Sequence, residues 1–148
     1  MSANSRMTLA VHVLTWLAFD RYGTDDEVGT SGRIAASVNT NPVVIRRCLG
    51  ELREAGFVES SRSRGWYLSR DAAAITLRDV YRAVGGDVFA MHSSPPDHEC
   101  QVGQGIQPVL VRAYQRATAA LAESLAHTSV ADVLRDTLVE AELELQHV

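Results

Sequence analysis

Arginine side chains that could read DNA cluster at the start of one predicted helix and at the tip of one predicted hairpin. Arg46 and Arg47 lie early in the helix that Pro42 opens, where a guanidinium can make a bidentate contact to guanine in the major groove. Arg62 and Arg64 lie at the hairpin tip and would suit a narrow minor groove, where negative potential is focused. The candidate DNA-binding residues are Arg33, Thr40, Asn41, Val43, Arg46, Arg47, Arg62, Ser63 and Arg64.

A thiol in a polar segment is the second chemical candidate. Cys100 shares this segment with His92 and His98, and a neighbouring imidazolium would favour the thiolate, so the three are candidate sensor residues. An inert surface cysteine is the competing interpretation. Cys and His are also metal ligands, but their spacing matches no compact metal motif, and we predict no metal site. Cys48 falls on an apolar helix stripe and is predicted to be a buried structural thiol.

Charge is distributed unevenly along the 148 residues, which carry a net charge of −4. Residues 30–70 contain seven Arg and three Glu, a net charge of +4, whereas residues 1–29 sum to −2 and residues 71–148 to −6. A basic block inside an acidic chain is the distribution expected of a DNA-binding module that carries its own acidic partner half. For any single Arg, a solvated helix or a charged turn is the competing explanation, but the combination favours DNA.

Other classes of protein find little support. No glycine-rich phosphate loop follows a strand, and no carboxylate pair lies in an apolar setting, so we do not predict an enzyme. The longest apolar runs fall short of the roughly 20 residues needed to span a bilayer. The first residues show no charged segment followed by an apolar one, so we expect no signal peptide. Two cysteines are too few for a disulfide framework. We expect a cytoplasmic protein without a membrane partner.

Two short helices are predicted to form a helix-turn-helix. Residues 6–21 give a first helix that is apolar around much of its circumference and therefore buried on more than one side. Ser31 is a plausible N-cap for a short helix through Val38. Asn41 then caps a helix that opens with Pro42 and ends at Gly56. The turn Asn39–Asn41 between the two short helices has helix-turn-helix spacing.

A basic hairpin follows the helix-turn-helix. Phe57–Ser60 and Trp66–Ser69 are predicted strands, joined by the polar tip Ser61–Gly65. Helix, turn, helix and then a basic hairpin is the order of elements in a winged helix.

The remaining chain is predicted to be helix, loop and two helices. Thr76 with Asp79 favours a capped helix through Val84. From Asp87 to Gly105 the periodicity fails, and loops of this length are usually functional or disordered.

After the loop, residues 106–127 are predicted as a helix of about six turns with a stripe of small and apolar residues. Ser129 with Asp132 opens a last helix. A domain this small cannot cover so long a helix, so we expect a second copy to cover it.

Three segments of the sequence resemble the Rrf2 family of winged-helix transcription regulators, and the resemblance covers nearly the whole chain. They are Asn39–Arg47, Leu52–Val58 and Ile75–Val84. The resemblance implies a homodimer in which the long helix from Ile106 crosses to the partner and brings two winged helices onto a palindromic operator.

The same family resemblance bears on cofactors. Cluster-binding members carry three Cys in the loop before the dimerisation helix, whereas this chain has only Cys100 there. The chain therefore looks more like the clusterless subgroup, which implies no cofactor and a thiol switch or small-molecule sensing. An iron–sulfur cluster completed by His92 or His98 is the open alternative.

The sequence thus predicts a mainly α fold with a small β-hairpin wing. Residues 1–70 are the predicted winged helix-turn-helix DNA-binding domain, and residues 71–148 hold the sensor loop and the dimerisation helices. The expected function is sequence-specific regulation of transcription by a homodimeric repressor that binds double-stranded DNA and is switched at the loop containing Cys100. The alternatives are a protein-interaction module with a vestigial helix-turn-helix and a small thiol enzyme that uses Cys100.

Overall fold

Helices dominate the computed structural model of the protein, which describes residues 3–20 and 28–147. This part of the chain confirms the predicted mainly α fold with a two-stranded hairpin, and a short 3-10 turn precedes the fourth helix. In chain order the elements are α1 (Ala3–Asp20), α2 (Ser31–Val38), α3 (Pro42–Glu54), β1 (Val58–Ser61), β2 (Gly65–Leu68), α4 (Leu77–Val84), α5 (Gln101–Leu125) and α6 (Val130–Gln146).

The start of α2 differs by one residue from the prediction. Thr30, not Ser31, is the N-cap, because its side chain accepts a hydrogen bond from the backbone N–H of Arg33 at 3.2 Å. Ser31 is the first helical residue instead. A hydroxyl residue at either position can cap a helix, so composition alone does not distinguish them. At the other end, Asn39 takes the left-handed conformation, with φ at 60°, and closes the helix.

The boundaries of α3 are as predicted. The side chain of Asn41 accepts from the N–H of Val43 at 2.9 Å, and Pro42 occupies the first helical position. Pro is tolerated there because the N–H that it lacks would have no partner within the helix. Gly56, with φ at 80°, follows the C-cap and lets the chain turn into the hairpin.

The hydrophobic core is built around α1, which is buried on more than one side, as predicted. The helix α1 contacts α2, α3 and β2, and it also packs against α4 and α6. Residues beyond position 70 belong to the same core as the helix-turn-helix. The largest fully buried side chains of the core are Val13, Leu14, Ile34, Ile45, Leu49, Leu52, Val58, Ile75, Val80 and Val130.

The wing is an antiparallel hairpin whose register runs from Val58 opposite Leu68 to Ser61 opposite Gly65. Gly29 adds a third segment that the sequence did not reveal, because a single bridge has no periodicity. Its N–H donates to the carbonyl of Arg64 at 3.2 Å, and its carbonyl accepts from the N–H of Trp66 at 2.9 Å. A Cβ on Gly29 would lie 2.6 Å from the Trp66 carbonyl oxygen, so this close pairing requires glycine.

The starts of α4 and α6 lie side by side, and both predicted capping boxes are present. Thr76 and Asp79 exchange side-chain to backbone hydrogen bonds at α4, and Ser129 and Asp132 do the same at α6. The N–H of Val130 also donates to the carbonyl of Ile75 at 2.8 Å. These bonds fix the position of α6 relative to the winged helix.

The long helix begins earlier than predicted. The helix α5 starts at Gln101 rather than Ile106, so Gly103 and Gly105, predicted to be loop, are helical. A Cβ on Gly103 would overlap the carbonyl oxygen of Asp97, which explains why glycine stands in this first turn. None of the helices in residues 3–20 and 28–147 has the length and hydropathy that a membrane span requires.

Candidate nucleic-acid interface

The rotation of α3 about its axis decides which of its side chains can face a ligand. Ile45, Cys48, Leu49 and Leu52 are buried against the core. At about 100° per residue, the opposite face carries Val43, Arg47, Gly50 and Glu54. Val43 is 53% exposed, and Arg46 and Arg47 are both exposed. Arg47 therefore points directly away from the core, whereas Arg46 lies to one side of the outward face.

The turn before α3 brings two further predicted residues next to the start of this helix. The N–H of Thr40 donates to the carbonyl of Ala35 at 3.0 Å, which holds the turn against the end of α2. Asn41 is exposed, but its side-chain carbonyl is already engaged in capping α3. The loop before α3 and the first two helical turns of α3 therefore hold five of the candidate residues: Thr40, Asn41, Val43, Arg46 and Arg47.

The predicted wing-tip residues are exposed at the end of the hairpin. Arg62, Ser63 and Arg64 form the turn between β1 and β2. The guanidinium carbon of Arg64 lies 4.3 Å from the ring centroid of Tyr67, within the range of a cation–π contact. The hydroxyl of Tyr67 in turn donates to a carboxylate oxygen of Glu59 at 3.1 Å. The chain of contacts Glu59–Tyr67–Arg64 restricts the direction in which Arg64 points.

Arg33 lies beside the segment that pairs with the hairpin. Its guanidinium lies 5.0 Å from the ring centroid of Trp16 and donates to the carbonyl of Val28 at 3.2 Å. The side chain therefore connects α1 and α2 to the segment that pairs with the hairpin. A role for Arg33 in DNA binding stays a prediction.

Two further arginines of the basic segment rest on aromatic rings and were missed by the sequence reasoning. Arg53 lies 5.5 Å from the ring centroid of Trp66, and Arg70 lies 5.1 Å from that of Phe57. The signal was present in the sequence, since the hairpin carries aromatic residues in a segment of net charge +4. The sequence does not show which arginine lies over which aromatic ring.

Cys100 is exposed and forms the N-cap of α5. The backbone N–H groups of Gly103 and Val102 at the start of α5 lower the pKa of its thiol, and desolvation opposes this shift, although the thiol does not form a capping hydrogen bond. The sequence led us to expect imidazolium groups as the cause, and the cause is instead the start of the helix.

The two predicted sensor histidines make local contacts. The Nδ1 atom of His92 accepts from the N–H of Ser94 at 3.2 Å. The backbone carbonyl of His98 accepts from Nε2 of Gln104 at 2.6 Å, which ties the loop to the second turn of α5. The bond between His98 and Gln104, like the position of Asp97 against Gly103, holds the end of the loop on the helix, whereas the bond between His92 and Ser94 lies within the loop.

Cys48 is buried on the inner face of α3, as predicted. Burial raises the pKa of its thiol to about 12, and the nearby carboxylate of Glu51 adds to the increase. This thiol is therefore protonated at neutral pH and acts as a small apolar side chain.

The sequence profile of Rrf2, described as an iron-dependent transcriptional regulator, matches residues 3–136. The chain belongs to the Rrf2 family. YwnA of Bacillus subtilis (strain 168), named as an HTH-type transcriptional regulator, is 38% identical over 134 residues, which are 88% of this chain and 96% of YwnA. The family resemblance seen in the sequence is confirmed, and this Rrf2 protein is a DNA-binding regulator of transcription rather than an enzyme.

Solved structures agree with the winged-helix fold. A crystal structure described as that of a DNA-binding protein shares 35% identity with a TM-score of 0.70, covering 87% of this chain and 98% of that one. IscR of T. potens shares 21% identity with a TM-score of 0.65, covering 89% of this chain and 85% of its own. At that identity, IscR supports the fold alone.

The family description raises the question of iron. Within residues 3–20 and 28–147, no group of three or more His, Cys, Asp or Glu side chains is arranged to hold a metal ion. A cluster or a protein-held iron needs several such ligands. The described residues of this protomer therefore do not fit an iron site.

Proposed function

We propose that this Rrf2 regulator is a repressor that binds a palindromic operator as a homodimer and is switched at Cys100. The observation that carries the DNA-reading part is the outward face of α3. Val43 and Arg47 point away from the core there, Arg46 lies beside them, and the exposed tip of the wing supplies Arg62 and Arg64. In such an arrangement a recognition helix reads major-groove edges while flanking cations contact phosphates and the minor groove.

The homodimer is supported by the surface of α5. This helix has 25 residues, none of them buried. Val102, Ile106 and Val109 are 66%, 41% and 54% exposed, and their i, i+4, i+7 spacing places them on one face. A second copy of the chain is the occupant that we propose for this apolar face.

Charge supports the same assembly. The helix α5 carries Arg112 and Arg116, whereas the last three turns of α6 carry exposed Glu140, Glu142 and Glu144 beside exposed apolar residues such as Leu138. Basic and acidic surfaces on these two helices can pair between copies. A two-fold dimer would place its recognition helices on half-sites about one helical turn, roughly 34 Å, apart.

The proposed switch lies where the sensor loop joins the dimerisation helix. The thiolate of Cys100 attacks one oxygen of a peroxide, the O–O bond breaks, a sulfenic acid forms on sulfur and hydroxide leaves. The oxidised sulfur no longer presents a thiolate to the N–H groups at the start of α5. The loop is coupled to the same helix by Phe89, whose ring stacks on Tyr114 at 4.6 Å and 9°, so a change at Cys100 alters how the loop holds the helix.

Selection of bound duplexes from a random pool tests the DNA-reading part, followed by measurement of affinity against salt. Arg47→Ala should cost about 1–3 kcal/mol and relax the preference at one base position. Arg46→Ala should weaken binding evenly across sequences and reduce the salt slope by about one. Arg135→Ala, on the exposed acidic helix α6, is the matched control and should bind as the unsubstituted protein does. If no duplex is retained even at low salt, the helix-turn-helix is vestigial and the proposal fails.

A further inference from the structure

Gly50 lies in the middle of the recognition helix, and no contact or backbone angle within the protomer requires glycine there. Gly50 is helical, and a Cβ built on it meets nothing within 4 Å. Its φ is not among the positive values, which in the described residues belong to Asn39, Gly56 and Gly65. Glycine is a poor helix former because it loses the most backbone freedom on folding, and alanine would be more stable there.

Four other glycines of the chain have local explanations that Gly50 lacks, whereas Gly105 in α5 resembles Gly50 in that an added Cβ would meet nothing within 4 Å. A Cβ on Gly29, Gly65 or Gly85 would lie within 2.6 Å of a backbone oxygen or a neighbouring side chain, and Gly103 faces the carbonyl of Asp97. These four glycines permit close packing within the protomer. The open space over Gly50 is instead on the solvent side of α3, so any close approach that it permits is to something outside this chain.

Two exposed arginines flank Gly50 along the helix. Arg46 lies one turn before it and Arg53 one turn after it, and the spacing i, i+4, i+7 puts the three on one side of α3. Arg53 also contacts the hairpin, because its guanidinium lies 5.5 Å from the ring centroid of Trp66. Two guanidinium groups therefore lie along this side of α3, and at Gly50, between them, no side chain covers the helix backbone.

We propose that Arg46, Gly50 and Arg53 form a seat for one phosphodiester group of the bound duplex. The inference rests on the proposed function and adds to it a binding site and one residue, Arg53, that the sequence reasoning did not include. The missing side chain of Gly50 lets the phosphate come against the helix backbone, while a guanidinium binds it from each side. The stacking on Trp66 holds Arg53 in place before binding, so less freedom is lost when the phosphate arrives.

The seat predicts opposite effects on stability and on binding for one substitution. Gly50→Ala should raise the melting temperature by roughly 2–4 °C, since alanine is the better helix former. It should also weaken binding to a selected 20-bp duplex by at least about tenfold. The loss should be equal for selected and unrelated duplexes, because phosphate contacts carry no direct sequence information.

Two further variants complete the experiment. Arg53→Ala should reduce the slope of log affinity against log salt by about one. In the double variant, the losses from Gly50→Ala and Arg53→Ala should not add, because both act on the same phosphate. Gly32→Ala is the matched control, since this exposed helical glycine of α2 has only Thr30 Oγ1 at 3.9 Å from an added Cβ. It should keep its affinity within about twofold.

The outcomes separate this proposal from the function on which it rests. If the unsubstituted protein binds no duplex, the proposed function fails. If the unsubstituted protein binds, three results for Gly50→Ala would rule out the phosphate seat and leave the proposed function intact. They are an unchanged affinity, a lower melting temperature, and a loss of affinity for the selected sequence alone. An unchanged salt slope for Arg53→Ala would likewise overturn the seat.

Discussion

The two cysteine thiols of this chain differ in how readily they ionise, because their local surroundings shift their pKa values in opposite directions. Burial raises the pKa of Cys48 to about 12, whereas the N–H groups at the start of α5 lower the pKa of Cys100. Since the thiolate is the reactive form, Cys100 carries more of it than an ordinary thiol at neutral pH. Cys48 carries almost none.

We therefore expect iodoacetamide at pH 7 to label Cys100 and to spare Cys48 in the folded protein, as measured by mass spectrometry of the digested chain. The rate at Cys100 should level off at a lower pH than that of a free thiol. His98→Ala should leave this rate unchanged, because helix amides and not imidazole lower the pKa. Cys100→Ser should abolish the response of DNA binding to peroxide. A Cys100→Ser protein that still responds would rule out this thiol as the sensor.

The wing allows a second prediction about single residues. Tyr67→Leu removes the ring under Arg64 and should lower the affinity for the duplex by about two- to fivefold, the range of an exposed cation–π contact of ~0.5–1 kcal/mol. In an Arg64→Ala background the same substitution should have no further effect. Tyr67→Phe keeps the ring and should retain the affinity, as measured by fluorescence anisotropy. Equal losses with and without Arg64 would show that Tyr67 acts through the hairpin and not through the arginine.

At the scale of elements, α4 depends on its capping box, and this dependence has a pH signature. Thr76→Ala should reduce the free energy of unfolding by about 1 kcal/mol. The backbone hydrogen bond to Thr76 holds the pKa of Asp79 below its ordinary value of 3.8. A carboxyl group with a lowered pKa in the folded state contributes stability that is fully present above the ordinary pKa and is lost as the pH falls through the folded value.

Thermal melts between pH 7 and pH 2 test this dependence. Asp79→Asn should lower the melting temperature at neutral pH and flatten its decrease below pH 4. The control is Asp97→Asn, in the loop before α5, which should leave the acid slope due to Asp79 intact. A Thr76→Ala protein as stable as the unsubstituted one would contradict the capping argument.

Most elements could be predicted from the sequence because their ends are set by local chemistry. Asn41 with Pro42, and the boxes at Thr76 and Ser129, depend on hydrogen bonds within four residues. The start of α5 was missed because Gly103 and Gly105 weaken a helix on propensity alone. The close approach of the Asp97 carbonyl to Gly103 depends on the conformation of the loop, which has no periodicity to reveal it.

The candidate site was predictable to the same degree. Residue types located it on α3 and the wing tip, but the choice between Arg46 and Arg47 depends on helix rotation. The buried side chains of α3 fix that rotation in the structure and place Arg47 on the outward face. The pairing of Gly29 with the hairpin and the stacking of Arg53 on Trp66 join segments far apart in sequence, so neither could be read locally.

At the scale of the whole molecule, charge and apolar surface are separated between the two ends of the chain. The positive segment holds α2, α3 and the wing, and the negative segment holds the exposed apolar faces of α5 and α6. An acidic segment is repelled by DNA, so it orients the basic one toward the duplex. Apolar helix faces in that same segment are then available to a second copy without competing with DNA for the same surface.

One pair of substitutions on α5 tests the dimer that this separation supports. Val109→Glu puts a charge on the exposed stripe with Val102 and Ile106, and it should convert the protein to a monomer in sedimentation equilibrium. Because a monomer contacts one half-site at a time, affinity for the full operator should fall by at least about a hundredfold. Binding to an isolated half-site should be unchanged. Val111→Glu is the control, since Val111 is 40% exposed but faces away from Val109, about 200° around the helix. It should remain a dimer, and a dimer that survives Val109→Glu would place the interface elsewhere.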